Sequence, residues 1–284
     1  MRFSPRPKAV CALLIVLLAG CASLGPAPDF SKVDASDTAA IPLWKNFADK
    51  PPSYLAAGVA PTAEDYLAPP PAPDSPRGQA DLAIYRATRA LAGTPRWSLA
   101  QRDADNETPA GIPKAFSCPL GVELDINREP ILLRMLMRAS DDSDDAARTA
   151  KEHYARKRPF LVEDGPICIA REDWLVQQGS YPSGHAAAGW MWALILSELA
   201  PDRAEALMVR GRAFGDSRVV CGVHYPSDIE AGREVAVATL SRLRTDPAFE
   251  ADLRTARAEL ARARQSGPKP ASCDPQSGLD KPVY

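Results

Sequence analysis

Three short polar clusters hold the residue types that chemistry needs. The first is Lys151 with Arg158 and Pro159. The second is Pro182, Ser183, Gly184 and His185. The third is Ser217 with Arg218, followed by His224 and Asp228. Taken singly, each has an ordinary explanation: a solvated helix end, an N-cap, a local pair. Taken together, they supply three cations and two of the three histidines in the chain. They also supply a Pro-Ser-Gly turn in front of an apolar run, which reads as a helix N-terminus whose amides favour anions. A glycine at that turn lets an anion approach the main chain. Asp228 lies four residues after His224 and can reach back to hold its imidazole in one tautomer. Such an assembly suits an oxyanion with several charged oxygens, and phosphate is the commonest one. His153 lies two positions from Lys151, so on a helix it faces elsewhere and is read as structural.

These clusters must be placed by helices. The run from Ser183 to Ala200 is apolar nearly all round, which predicts a buried central helix. Helices are also expected over 79–93, closed by Gly93 and Pro95, and over 129–140, with Pro130 in its first turn. A further helix opens at the Ser/Asp-rich stretch from Ser140 and ends near Arg158, before Pro159. Residues 165–179 read as an irregular connector. Pro201 opens the next helix, over 202–219. Ser227 and Glu230 form a candidate capping box for a helix over 227–244, and a last amphipathic helix covers 247–264. Periodic strands are nearly absent. The fold class expected is all-α, a compact multi-helix bundle.

The spacing Lys-x6-Arg-Pro, then Pro-Ser-Gly-His, then Ser-Arg-x5-His-x3-Asp is carried by "KEHYARKRP", "PSGH" and "SRVVCGVHYPSD". It resembles the signature of the phosphatidic acid phosphatase type 2 and vanadium haloperoxidase superfamily, without departure. Within it, "GSYPSGHAAAGW", "SRVVCGVHYPSD" and "DPAFEADL" are similar to the bacterial class A non-specific acid phosphatases. The resemblance runs from about Tyr66 to Ala263. It implies a bundle of that family's type and hydrolysis of soluble phosphomonoesters without metal or other cofactor. It assigns Lys151, Arg158 and Arg218 to the phosphoryl oxygens, with Ser183 and the Gly184 amide adding hydrogen bonds. His224 becomes the nucleophile that forms a phosphohistidine, Asp228 its orienting group, and His185 the general acid. Ser217 has only a supporting place. A neutral nucleophile and a protonated acid call for a bell-shaped pH profile, with an acidic optimum. Inorganic phosphate and vanadate are expected inhibitors, and homo-oligomers are frequent in that class. Competing readings are a lipid phosphatase, a vanadate-dependent haloperoxidase and an inactive phosphate-binding lipoprotein. The first is generally polytopic in the family, the second usually much longer, and the third is disfavoured by the intact His224 and Asp228.

Composition agrees with one sizeable domain plus appendages. The chain has 284 residues, 45% hydrophobic and 25% charged, with a formal net charge of −2. No basic field is available to hold nucleic acid by counterion release. Residues 1–20 have a basic start and an apolar segment too short for a comfortable span. They end in Leu-Ala-Gly before Cys21, which resembles a lipobox and implies cleavage there and lipidation of Cys21. Residues 21–60 read as an Ala/Pro-rich tether, 61–268 as the catalytic domain and 269–284 as a tail. The expected location is the periplasm, with the lipid as sole membrane attachment; Ala22 favours the outer membrane by analogy. Of six cysteines, Cys118, Cys168, Cys221 and Cys273 remain after Cys11 and Cys21 are set aside. They suggest two disulfides with three connectivities open, and their spacing is not that of a zinc site. With the clusters converging as they do in that family, Cys168–Cys221 is favoured, which leaves Cys118–Cys273.

Overall fold

The run after Ser183 does become the centre of the molecule. Helix α7, Gly184–Leu199, is apolar around most of its circumference and buries most of its length, as such a surface must. The computed structural model describes residues 52–105, 110–276, 279 and 281–284. Cys21, the targeting segment and most of the expected tether lie outside the described residues.

Around α7 stand α1 (Pro76–Thr88), α2 (Pro95–Arg102), α3 (Gly111–Leu120), α4 (Pro130–Tyr154), α8 (Ala204–Val220), α9 (Pro226–Leu243) and α10 (Pro247–Ser266). Two short helices, α5 (Pro159–Val162) and α6 (Asp173–Gln177), lie between α4 and α7. No strand occurs among the described residues. The class is all-α, as expected. Helix α7 packs most extensively on α8, then on α4 and α9. Missing side chains allow the closest crossings. A β-carbon on Gly211 of α8 would lie 2.4 Å from Ala193 Cβ on α7, and one on Gly189 of α7 would lie 2.4 Å from Phe214 Cδ1. Trp192 packs against Phe214 of α8 and Phe116 of α3, and donates from Nε1 to Leu136 O of α4 at 3.0 Å.

The expected pair of helices meeting at Ser140 is a correction. Helix α4 runs unbroken for 25 residues, from Pro130 to Tyr154. The Ser/Asp-rich stretch that reads as a helix start is consumed elsewhere. Ser140 and Ser143 donate back to Met137 O and Ser140 O, each at 2.8 Å. Asp142 accepts the Tyr54 and Leu55 amides, each at 3.0 Å. Residues that cap helices can sit inside one when their polar groups find such partners. Helix α4 also ends earlier than expected. Ala155 takes a left-handed φ of 45° and donates to Lys151 O, so residues 155–158 leave the helix ahead of Pro159.

Three smaller differences follow. Helices α2 and α3 were not anticipated, and the 165–179 connector contains α6. Pro201 opens a 3₁₀ turn, Pro201–Arg203, rather than α8 itself. The expected Ser227–Glu230 capping box does not form. Tyr225 is the N-cap, and Asp228 closes the end by accepting the Tyr225 amide at 2.8 Å. Ser227 instead donates its amide to Asp81 at 3.1 Å, and Glu230 pairs with Arg77. The disulfides Cys118–Cys273 and Cys168–Cys221 are both formed, with the expected pairing.

Candidate active site

Each cluster lies at the end of a helix, and the helix crossings bring the ends together. Lys151 sits on the last turn of α4, and Arg158 just beyond its left-handed stop. Ser183 is the N-cap of α7; its hydroxyl accepts the Ala186 amide at 3.3 Å. Arg218 is on the last turn of α8, and His224 and Asp228 flank the start of α9. The second and third clusters are tied through the main chain: the Ser183 amide donates to Asp228 O at 2.9 Å. Gly232 permits that contact, since a β-carbon there would lie 2.4 Å from Ser183 O.

Lys151, Arg158, Gly184, His185, Arg218 and His224 line one cavity of about 1340 Å³. Ser183 stands behind its wall, fully buried. Asp141, Asp144 and Asp145 of α4 line one side, with Asp144 beside Gly184. Leu161, Trp174 and Val176, from α5 and α6, line the other and are exposed. Gly184 has no room for a side chain, because a β-carbon would lie 2.3 Å from Asp144 Oδ1.

His224 is held at both ring nitrogens. Arg158 Nη1 lies 3.1 Å from Nε2, and Asp228 Oδ2 lies 3.4 Å from Nδ1. A guanidinium can only donate and an ionised carboxylate can only accept. The tautomer this selects carries its proton on Nδ1 and leaves a lone pair on Nε2, on the side of the cations. Burial first, then Arg158, Lys151 and Arg218, holds the His224 pKa well below 6.5, which favours the neutral ring. Burial likewise pushes the Asp228 carboxyl up from 3.8. Arg156 opposes it, donating from Nη1 to Asp228 Oδ1 at 2.6 Å and from Nη2 to Asp81 Oδ2 at 2.8 Å.

His185 is half-buried, stacked on Phe214 at 6.3 Å between centroids. Its Nε2 lies 2.9 Å from Ala104 O. Burial, then Arg218, lowers its pKa well below 6.5. Burial also lowers Lys151 to about 8, against the pull of Asp144. It lowers Arg158 to about 10, against Asp228.

The sequence clusters thus meet, apart from Ser217, which faces away from the cavity toward Asp103. His153, read as structural, is exposed beside Tyr154, away from them. Sequence reasoning missed Arg156, Asp81, Asp103 and Asp144. Arg156 stands in the same basic run as Lys157 and Arg158, and nothing in composition separates the three. Asp81 and Asp103 come from α1 and the end of α2, far upstream of the residues they serve.

Residues 143–246 match the PAP2 superfamily model. An acid phosphatase of Zymomonas mobilis is 44% identical over 206 residues, covering 72% of this chain and 78% of the relative. A non-specific acid phosphatase of Salmonella typhimurium is 41% identical, covering 69% of this chain and 78% of the relative. One from Providencia stuartii is 37% identical, covering 82% and 95%. With that likeness over most of both chains, and with all three clusters around one cavity, this chain belongs to the non-specific acid phosphatase family of the PAP2 superfamily.

Proposed function

We propose that this chain is an acid phosphatase that hydrolyses soluble phosphomonoesters through a phosphohistidine on His224, with no metal ion. The tautomer of His224 carries the reading. Its Nε2 lone pair stands among Arg158, Lys151 and Arg218, and its Nδ1–H points at Asp228. Those cations and the Gly184 amide hold the phosphoryl oxygens, whose charge must be matched throughout in-line transfer. Nε2 attacks phosphorus and a P–N bond forms as the ester P–O bond breaks. The leaving oxygen takes a proton from His185. Neutral His185 then removes a proton from water, whose oxygen attacks phosphorus. The P–N bond breaks and phosphate leaves. Unliganded His185 is neutral near pH 7, whereas a phosphate dianion beside it raises its pKa and recharges it. That requirement, with a nucleophile whose neutral form is favoured, supports an acidic optimum.

Inorganic phosphate and vanadate are competitive inhibitors in this scheme. Rapid quenching with a ³²P-labelled aryl phosphate is expected to trap an acid-labile, base-stable phosphoenzyme that His224→Ala lacks. Full hydrolysis by His224→Ala would overturn the assignment. The signal-like segment and Cys21 support a periplasmic lipoprotein. Cys21→Ser should then move the protein from the membrane fraction to the soluble periplasm, and an unchanged distribution would count against the anchor.

A further inference from the structure

Ser217 belongs to the third cluster yet does not face the cavity, and three charged groups, Asp103, Arg96 and Arg210, gather around it. Its hydroxyl donates to Asp103 Oδ2 at 2.5 Å and accepts from Arg96 Nη1 at 2.9 Å. Asp103 is also gripped by Arg210, from Nη2 to Oδ1 at 2.5 Å and from Nη1 to Oδ2 at 3.2 Å. Ser217, Asp103 and Arg210 are all buried. Asp103 caps the C-terminus of α2, donating its amide to Leu99 O. The next residue is Ala104, whose carbonyl lies 2.9 Å from His185 Nε2. Helix α8 therefore clamps the end of α2 and fixes that carbonyl in place.

We propose that Ser217 and Asp103 are positioning residues that present the Ala104 carbonyl to His185 Nε2, so that the leaving group takes its proton from Nδ1. A carbonyl can only accept, so Nε2 carries a proton whenever this contact exists. The ring then has one nitrogen with which to give and receive protons. The imidazolium loses its Nδ1 proton to the leaving oxygen and keeps the Nε2 proton. The neutral ring later accepts a proton from water at Nδ1. Stacking on Phe214, also on α8, holds the ring plane, so one helix sets both the orientation and the tautomer of the acid.

This inference rests on the phosphohistidine reading, and the experiment separates the two. kcat/KM is measured for Ser217→Ala and for Asp103→Asn over aryl phosphates of rising leaving-group pKa and a simple alkyl phosphate. It reports steps only up to departure of the alcohol, where the acid acts. A positioned general acid contributes about 10²–10⁴-fold. Ser217→Ala should therefore stay within about twofold of wild type on dinitrophenyl phosphate and fall about tenfold or more on the alkyl ester. Uniform loss across the series, or no loss at all, would overturn the proposal. Asp103 is held in a buried ion pair, so if Asp103→Asn does not fold, the second measurement takes its place. Nitrogen-15 NMR of histidine-labelled wild-type enzyme above pH 7 should show the Nε2–H tautomer for His185, assigned with His185→Gln. An Nδ1–H tautomer would refute the proposal by itself. Absence of any phosphoenzyme in wild type would instead sink the underlying mechanism, leaving the tautomer result to stand alone.

Discussion

At the residue scale, the proposed mechanism asks for neutral histidines among cations and for an ionised Asp228 beside His224. Asp228 is buried, so its ionised form is disfavoured, and the enzyme is asked to work in acid. Its neighbours decide the outcome: Arg156 at 2.6 Å, the Tyr225 amide, His224, Asp81 behind Arg156, and Lys151 and Arg158 across the cavity. Removing Arg156 lets the folded Asp228 take a proton at higher pH, because the group opposing burial is lost. Arg156→Ala should move the acidic limb of the kcat/KM profile to higher pH. Arg156→Lys should move it less, and an unmoved limb would show that Arg156 serves only packing. Lys151 bears instead on phosphate binding at higher pH. Its pKa is lowered to about 8, so the cation is present below that value and lost as pH rises through it. Inhibition by phosphate, already a dianion there, should weaken above about pH 8, and Lys151→Arg should abolish the break. Lys151, Arg158, His185, Arg218, His224 and Asp228 were legible because chemistry restricts residue type and spacing. Arg156 was not, because its partners Asp81 and Asp228 are brought to it only by folding.

At the element scale, the site depends on how closely α7, α8 and α9 cross. Gly211 and Gly232 mark the crossings, and each faces backbone or a β-carbon rather than a yielding side-chain tip. Gly211→Ala should cost about 1–3 kcal/mol of stability through overpacking. Because α8 carries Ser217, Arg218 and Phe214, the same change should also lower kcat. Urea denaturation and steady-state rates on one preparation would test both, and unchanged stability would mean the crossing can widen. The helices α7 and α10 were readable from their apolar patterns, and α9 was placed by a Ser227–Glu230 signal whose expected bonds do not form. The continuity of α4 was not, since Ser140 and Ser143 read locally as a helix start. Only the distant Tyr54 and Leu55 amides, which take up Asp142, reveal the stretch as mid-helix.

At the scale of the whole molecule, the two disulfides act on different parts. Cys118–Cys273 joins α3 to the C-terminal segment, whose Tyr284 hydroxyl donates to Asp216 at 3.1 Å. Cys168–Cys221 joins the α5–α6 connector to the chain just before His224, in a small apolar cluster with Phe160 and Val223. The loop it closes spans 53 residues, for which the chain-entropy account gives about 4 kcal/mol. Replacing both of its cysteines by serine should lower stability and kcat/KM together. The corresponding change at Cys118 and Cys273 should lower stability with little effect on rate. Equal kinetic damage from both would refute this division. The bond from the Ser183 amide to Asp228 O concerns separability. It joins the phosphate turn to the His224 segment by peptide groups alone, so side-chain replacement at His224 leaves the join intact. His224→Ala should therefore remain a competent receptor for phosphate esters, one that holds an uncleaved substrate long enough for its organic half to be seen in a crystal.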